Sequence, residues 1–424
     1  MKKEILPFIG KDKVYKKVLS NGLTVLCLYN KIAPVFSYQT WYNVGSRDEV
    51  PGLSGIAHLF EHMMFKETKN LKQGQFDKTM ESNGARDLNA FTSTDFTAYV
   101  QSLPIETFDL VASLEAERMV NLLLTKEQFE SEREVVHNER KQRNENNPEG
   151  QMFEELQKLA FPRHPYGRPV IGWEEDLNRM TTVDCERFYD SYYAPNNAVI
   201  VVVGMIPPEK VFKIIEKHYG KFLSSEIPRV AIEQEPEQTE ERKKIMPLAL
   251  QVEKAYMGYR IPPAIHDDHI PLSVLSAVMT SGRSSRLYKA LVDLGHTIDI
   301  GAGSGSAKDA SLFYVSFSAH AGKKAEDAIA IIDREMEKFA HSAISEEEMK
   351  RAKNKLRTEF HMGLSSNAAK ANFIGQNQLV FDDYTVGLKA MDEIAAVKKE
   401  EVQRVAKKYF QAKNRSIVLG IPSV

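Results

Sequence analysis

A sequence near the middle of the chain recurs near its end, which indicates that the fold is built twice. YYAPNNAVIVVVG, Tyr192 to Gly204, has a weaker counterpart in YFQAKNRSIVLGI, Tyr409 to Ile421. Four positions match at an offset of 217 residues: Tyr192 with Tyr409, Asn197 with Asn414, Ile200 with Ile417, and Val201 with Val418. An offset close to half of the 424-residue chain favours two homologous domains over a short-period solenoid.

The length of the chain favours two to three domains, because a single core rarely grows beyond about 250–300 residues. We predict an N-terminal domain at residues 1–223 and a C-terminal domain at residues 248–424. The segment between them, Ser224 to Pro247, is polar and rich in proline and charge, a composition typical of a linker.

The first half contains several predicted strands. VLSNGLTVLCL predicts a hairpin that turns at Asn21-Gly22, and PVFSYQTWYNVGS predicts a further strand. RDLNAFTSTDFTAYVQSL alternates around Ser93 to Asp95 and predicts two antiparallel strands.

Helical patterns lie between and after these strands. One runs from Gly52 to Lys66, and FDKTMESNGA predicts another that ends near Gly84. Of two long patterns that follow, the second begins with Thr125 and Gln128, spaced as a capping box, and is predicted to run until Pro148. We therefore predict the α+β class, with two homologous domains that each pack helices on one face of an antiparallel sheet.

Composition excludes several classes of function. The net charge of −2 provides no polybasic surface for nucleic acid, and the longest apolar stretch, Ala198 to Ile206, is too short to span a bilayer. The N-terminal residues lack the apolar core of a signal peptide, so we expect a cytoplasmic protein, or a periplasmic one from which a signal has been removed. Two cysteines, Cys27 and Cys185, are too few for a disulfide framework or a thiolate zinc site.

The segment GLSGIAHLFEHMMFKET places two histidines and a carboxylate in an apolar helix. Because each helical residue advances about 100°, His58, Glu61 and His62 leave the helix within an arc of about 100°. Two imidazoles one turn apart can bind one metal ion, and the glutamate is close enough to act on a bound water. This HxxEH order is a metalloprotease motif. Core or surface residues could match it by chance, but burial of Glu61 among apolar neighbours is costly without a cationic partner.

A catalytic zinc needs a third protein ligand. The helical segment FESEREVVHNERKQR offers Glu132 and Glu139, which are seven residues apart and share one face of the helix. Spacing alone does not choose between them, and the other glutamates of this segment are typical of a solvated surface.

These motifs resemble the pitrilysin/insulinase family of zinc peptidases, which includes insulin-degrading enzyme, the mitochondrial processing peptidase and short bacterial relatives. The resemblance begins with HLFEH, a glutamate after 69 residues and another after six more. It extends through LNAFTSTDFTAYV, HPYGRPVIGWEEDL, YYAPNNAVIVVVG and SSRLYKAL, and so covers most of the chain. The length is similar to the short-subunit branch, in which two chains form one enclosed enzyme.

The resemblance implies a role for nine positions. His58, His62 and Glu139 are expected to bind one zinc ion per chain, Glu61 to be the general base, Glu132 to support the catalytic site, and Asn89, Ala90, Phe91 and Thr92 to form a substrate-binding edge strand. We therefore expect a zinc metalloendopeptidase that hydrolyses peptides or unfolded polypeptide segments inside a closed chamber.

The sequence departs from the family in its second half. Active members carry an arginine and, seven residues later, a tyrosine, and the resemblance implies that this pair binds substrate and stabilises the oxyanion. Here the arginine position falls on Val292 and the tyrosine position on Ile298 or Asp299. Valine and isoleucine side chains have no hydrogen-bond donor, and an ionised aspartate only accepts. The second half also lacks an HxxEH motif. Three nearby residues are interpreted as structural: Arg283, Arg286 and Tyr288.

Three hypotheses follow. In the first, a heterodimer forms with a zinc-free homologous subunit that carries the arginine–tyrosine pair. In the second, the chain is a self-sufficient peptidase or homodimer that uses other donors, such as Arg286 or His296. In the third, it is a non-catalytic scaffold subunit, which the intact zinc motif argues against. None of the three involves nucleic acid or a membrane span.

Overall fold

Each half of the chain contributes one segment to the compact unit formed mainly by the other half. The computed structural model describes residues 3–228, 231–341 and 344–423. Unit 1 comprises Met1–Glu139, Arg168–Ile232 and Gly363–Leu388; unit 2 comprises Arg140–Gly167, Glu233–Met362 and Lys389–Val424. The two units are therefore interleaved along the chain, whereas the predicted division at residues 223 and 248 is contiguous.

In the described residues, unit 1 contains a seven-stranded sheet of order β1-β2-β3-β7-β4-β6-β5. Its strands are β1 (Lys3–Pro7), β2 (Lys13–Val18), β3 (Thr24–Tyr29), β4 (Val35–Tyr42), β5 (Arg86–Thr92), β6 (Thr97–Pro104) and β7 (Ala198–Gly204). Neighbours are antiparallel except β3 and β7, which are parallel. The predicted β2–β3 hairpin is confirmed, with Gly22 at φ +87°, and so is the antiparallel pair β5–β6.

The described residues of unit 2 repeat five of these seven strands. Its strands are β8 (Arg242–Leu248), β9 (Lys254–Ile261), β10 (Gly301–Ser304), β11 (Ser311–Ser318) and β12 (Arg415–Pro422), in the order β10-β11-β9-β12-β8. The parallel pair of unit 2, β8 and β12, corresponds to β3 and β7 of unit 1. The order matches β5-β6-β4-β7-β3 of unit 1, strand for strand.

Fourteen α-helices are described, and the α+β class is confirmed. They are α1 (Ile56–Met63), α2 (Gln75–Ser82), α3 (Phe108–Val120), α4 (Lys126–Arg140), α5 (Pro148–Ala160), α6 (Glu174–Arg179), α7 (Thr182–Tyr192), α8 (Pro208–Tyr219), α9 (His269–Thr280), α10 (Ala325–His341), α11 (Glu346–Met362), α12 (Asn367–Phe381), α13 (Thr385–Ala396) and α14 (Lys399–Tyr409). None of these described helices is long and apolar enough to cross a membrane.

The repeated sequence makes the same contacts in both units. In unit 1 the side-chain amide of Asn197 donates to the carbonyl oxygens of Tyr192 (2.9 Å) and Asn43 (3.3 Å). In unit 2 the amide of Asn414 donates to those of Tyr409 (2.8 Å) and Arg260 (2.9 Å). All of these pairs obey the 217-residue offset. Each asparagine thus ties the end of a helix to the following strand and its neighbour.

Helices cover both faces of the first sheet, which corrects the predicted one-face arrangement. Side chains alternate along a strand, so Trp41 and Tyr42 of β4 point to opposite faces. Tyr42 contacts the ring of Tyr193, on the face that α1 covers, while Trp41 packs under α12 at Gly375. The covering helix α12 comes from the second half of the chain. Conversely α5, from the first half, packs on β12 of unit 2 through Met152 against Gly420.

Two predicted helix boundaries were wrong. Helix α1 begins at Ile56 instead of Gly52, because Gly52 and Gly55 both have positive φ values, outside the helical region. Helix α4 ends at Arg140 and continues only as a π-helical turn to Glu145. The end of the predicted linker forms strand β8, an edge strand held by main-chain pairing that does not require apolar alternation. Two linker residues, 229 and 230, lie outside the described residues.

We predict that Gly375→Ala destabilises unit 1. A Cβ atom at residue 375 would lie 2.2 Å from the buried ring of Trp41, so the rigid ring would have to move. We expect the free energy of unfolding to fall by about 1–3 kcal/mol, as for other overpacked cores. The measurement is a urea titration followed by tryptophan fluorescence, because both tryptophans, Trp41 and Trp173, belong to unit 1. Gly303→Ala is the control, since no atom lies within 4 Å of its added Cβ. Equal midpoints for the two variants would contradict this packing.

Candidate metal centre

Helix α1 carries a polar stripe on an otherwise apolar, buried helix. Phe60 packs between the rings of Tyr189 and Tyr193, while His58 and Glu61 are only 8% exposed. The helix has no side-chain cap at Gly55; instead the carboxylate of Glu49 accepts the N–H groups of Gly55 and Ala57, each at 3.0 Å. Burial raises the pKa of Glu49 to about 8, against the lowering effect of these two donors. Glu49 therefore fixes where the helix begins.

His58, His62 and Glu139 form a group of possible metal ligands in unit 1. One ligand atom from each lies within 4.8 Å of the other two. Glu139 Oε2 is 3.7 Å from His58 Nε2 and 3.4 Å from His62 Nε2. Donors at about 2.0–2.1 Å from a tetrahedral zinc would lie about 3.4 Å apart. The donor set, two imidazoles and one carboxylate, and its spacing therefore fit zinc.

His62 lies between Glu132 and Glu139 of α4. Its Nδ1 is 2.9 Å from Glu132 Oε1, on the opposite side of the ring from the Nε2 that faces Glu139. A carboxylate at Nδ1 holds the proton there and leaves Nε2 free to bind a metal. Burial opposes protonation of His62, but Glu132, Glu139 and Glu61 raise its pKa to about 9. The site is thus strongly attractive to positive charge.

Glu132 itself is held by Lys66, whose Nζ forms an ion pair with Glu132 Oε2. Although burial acts in the other direction, the hydrogen bonds from His62 and Lys66 keep the pKa of Glu132 below its ordinary value. Glu132 therefore stays a carboxylate and orients His62. It is not a member of the three-residue ligand group.

Glu61 receives a hydrogen bond from the edge strand β5. The hydroxyl of Thr92, the last residue of β5, donates to Glu61 Oε2 at 2.6 Å. Thr92 belongs to the strand predicted to bind substrate, so the structure places the predicted base and the predicted substrate strand in direct contact.

The backbone of β5 has an open edge. The N–H of Ser93 donates to the carbonyl of Phe96 (2.8 Å), and antiparallel pairing alternates from there. The N–H groups of Asn89 and Phe91 consequently face β6, whereas those of Ala90 and Thr92 face away from it. Sheet order confirms that β5 is an outer strand.

Unit 2 has no such centre at the equivalent helices. At the 217-residue offset, His58, Glu61, His62, Glu132 and Glu139 correspond to Leu275, Val278, Met279, Met349 and Leu356. The first four are buried in the core of unit 2, and Leu356 packs against that core. Apolar side chains thus join α9 and α11 in unit 2, whereas polar side chains join the equivalent helices α1 and α4 in unit 1.

Three supporting contacts were not predicted from sequence. Lys66 follows His62 by four residues and lies just beyond the end of α1, and this spacing on the helix predicted to reach Lys66 could have indicated the contact. Glu49 contacts the start of α1 from a loop, and Thr92 contacts Glu61 from a strand. Neither contact follows from a helical or strand periodicity in the sequence.

Two family models match the chain: Insulinase (Peptidase family M16) over residues 24–174 and Peptidase M16 inactive domain over residues 179–356. The zinc protease PqqE of Helicobacter pylori is 33% identical over 406 residues, 93% of this chain and 89% of that protein. An uncharacterized zinc protease of Mycobacterium leprae is 27% identical over 421 residues, 96% of this chain and 92% of that protein. The crystal structure of a protease from Helicobacter pylori superposes with a TM-score of 0.91 at 32% identity, covering 97% of this chain and 100% of that one. On the strength of this similarity along nearly its whole length, the chain belongs to the insulinase family of peptidases, M16.

Proposed function

We propose that this chain is the catalytic subunit of a zinc metalloendopeptidase that hydrolyses peptides or unfolded polypeptide segments. The observation that supports it most directly is the ligand group His58, His62 and Glu139, with the buried carboxylate of Glu61 on the same helix. Three protein ligands leave one position open on a tetrahedral zinc, as in catalytic sites. We propose one zinc ion per chain.

The roles of the protein groups follow from their positions. Zinc, when bound, polarises a peptide carbonyl and lowers the pKa of water. Glu61 accepts a proton from the attacking water as its oxygen bonds to the carbonyl carbon, and returns that proton to the amide nitrogen as the C–N bond breaks. Glu132 and Lys66 hold His62 in one orientation during this cycle.

The open edge of β5 supports an extended substrate. The backbone groups of Ala90 and Thr92 face away from β6. A peptide that displaces the Asn89 side-chain oxygen from the N–H of Ala90 (2.9 Å) can pair with them as an added strand. Such pairing uses main-chain groups and tolerates varied side chains, with Asn89 and Phe91 completing the strand. A folded domain offers few free extended segments, so unfolded polypeptides are the proposed substrates. The resemblance to the short-subunit branch supports a closed chamber made by two chains.

A second subunit is proposed because the positions expected to carry the arginine–tyrosine pair hold no oxyanion donor. Val292 and Ile298 are apolar, and Asp299 Oδ1 accepts the N–H of Ser318 (3.1 Å). Arg286, the donor considered for a self-sufficient enzyme, is held by Glu348, to which its Nε and Nη2 donate at 2.6 and 2.9 Å. These contacts favour a heterodimer with a homologous, zinc-free subunit that supplies an arginine and a tyrosine over a homodimer.

We expect Glu61→Gln to keep zinc and lose hydrolysis. Glutamine has nearly the same shape but cannot accept the proton, and loss of a general base costs about 10²–10⁴-fold in rate. His58→Ala and Glu139→Gln should lose zinc, because each removes a ligand. Metal analysis of the purified variants is combined with cleavage of a quenched-fluorescent, unstructured peptide, with and without the homologous subunit of the same organism.

Two outcomes would overturn these assignments. Undiminished zinc in His58→Ala or Glu139→Gln would mean that other residues bind the metal. A zinc-free wild-type chain would favour the alternative of a non-catalytic scaffold subunit.

The purified, zinc-loaded chain alone should cleave peptides very slowly. Absence of one oxyanion donor costs roughly 10²–10³ in turnover, and this chain lacks both members of the pair. Addition of the arginine- and tyrosine-bearing subunit should restore that rate. Fast cleavage by the chain alone, with one zinc per chain, would favour the homodimer.

The pH dependence of stability tests whether Arg286 is structural. Hydrogen bonds from Arg286 lower the pKa of Glu348 from its ordinary value of 4.5 to about 2. A lowered carboxylate pKa stabilises the fold above about pH 4.5, and this stabilisation is lost as the pH falls toward about 2. The melting temperature of wild type should therefore exceed that of Glu348→Gln at neutral pH, and the difference should shrink below about pH 4.5. Glu393→Gln, at an exposed glutamate of α13, is the control. A constant difference between wild type and Glu348→Gln at all pH values would contradict the role of Arg286.

A further inference from the structure

Thr92 is the residue at which the substrate strand and the general base meet. Its backbone lies at the open edge of β5, on the side away from β6, where an added peptide would pair. Its side chain lies on the face that α1 covers and donates to Glu61 Oε2 at 2.6 Å. Thr92 thus contacts the proposed base and lies where a paired peptide would run.

The direction of this hydrogen bond is fixed by chemistry. An ionised carboxylate only accepts, so the single hydroxyl proton of Thr92 is donated to Glu61. The hydroxyl of the neighbouring Thr97 donates to the carbonyl of Val44 at 3.0 Å and lies 3.5 Å from that of Thr92. Thr97, the residue of β6 paired with Thr92, thus lies next to the Thr92 hydroxyl on the side of β6. The hydroxyl of Thr92 is therefore directed at the base.

The side chain of Thr92 is also stiff. A β-branched residue in a strand has few χ1 rotamers, so the hydroxyl follows the backbone of β5 closely. Glu61, in contrast, has several rotatable bonds between its backbone and its carboxylate. The hydrogen bond from Thr92 restricts that freedom and ties the carboxylate to the strand.

We propose that Thr92 is a positioning residue, which holds the carboxylate of Glu61 in register with a peptide paired to β5. This inference rests on the proposed peptidase function. It assigns Thr92 a role beyond main-chain pairing with substrate, because strand β5 would then orient both the peptide and the carboxylate of Glu61. Loss of the hydroxyl should therefore slow catalysis without weakening peptide binding.

The test compares Thr92→Val, which keeps the shape and removes the hydroxyl, with Thr92→Ser, which keeps the hydroxyl. A hydrogen bond to a charged group is strong enough that its loss should lower kcat about tenfold or more. We expect Thr92→Val to show this loss with KM and zinc content unchanged, and Thr92→Ser to recover most of the rate. Assays use whichever assembly, the chain alone or with its homologous subunit, cleaves an unstructured peptide fastest.

Peptide binding is measured separately in the non-cleaving Glu61→Gln background, by fluorescence anisotropy of a labelled peptide. The added Thr92→Val change should leave the Kd within about twofold. An unchanged kcat in Thr92→Val would overturn the proposal. So would equal losses in Thr92→Val and Thr92→Ser, or a loss that lies only in KM and Kd, since these indicate a structural or substrate-binding role.

Crystal structures of wild type, Thr92→Val and Thr92→Ser provide a readout that does not depend on activity. The Glu61 carboxylate should keep its wild-type rotamer in Thr92→Ser and leave it, or become disordered, in Thr92→Val. If zinc-loaded wild type cleaves no peptide in any assembly, the proposed function fails, whereas the rotamer comparison still decides the role of Thr92. An unchanged Glu61 in Thr92→Val would reject it.

Discussion

The candidate metal centre depends on the contact of α1 with α4. A helix as buried as α1 can carry His58, Glu61 and His62 only if the groups opposite compensate their polarity. Helix α4 does so with Glu132 and Glu139, two turns apart, which contact the two nitrogens of His62. Lys66 then balances the charge of Glu132. These side-chain contacts hold together the candidate ligands that the two helices carry.

Comparison of the two units distinguishes the residues that the fold requires from those that only the candidate site requires. Unit 2 keeps the strand order, the parallel pair and the asparagine that ties helix to strand, yet fills the equivalent helix contact with leucine, valine and methionine. The architecture is therefore stable without polar groups between these helices. The charged residues of unit 1 therefore have a cost of burial that the fold itself does not require.

Much of this structure could be predicted from the sequence because its signals are local. The hairpin at Gly22, the two strands around Ser93 and the HxxEH arc all follow from spacing within a few residues. Contacts that join distant parts of the chain left no such signal: Thr92 reaches Glu61 across 31 positions, and α12 covers Trp41 from the second half of the sequence. The one-face packing predicted for each sheet was wrong for this reason, since it assumed that each half covers its own sheet.

The interleaved units have a consequence for how the protein can be made. The face of the first sheet that bears Trp41 has no cover until residues 363–388 have left the ribosome, so the half of the chain with the HxxEH motif spends most of synthesis with an exposed apolar surface. A chain cut within residues 224–247 would yield two fragments, each without the helix that closes its sheet. The N-terminal half is for this reason not an independently folding domain. Truncated products are expected to aggregate or to recombine with the missing half.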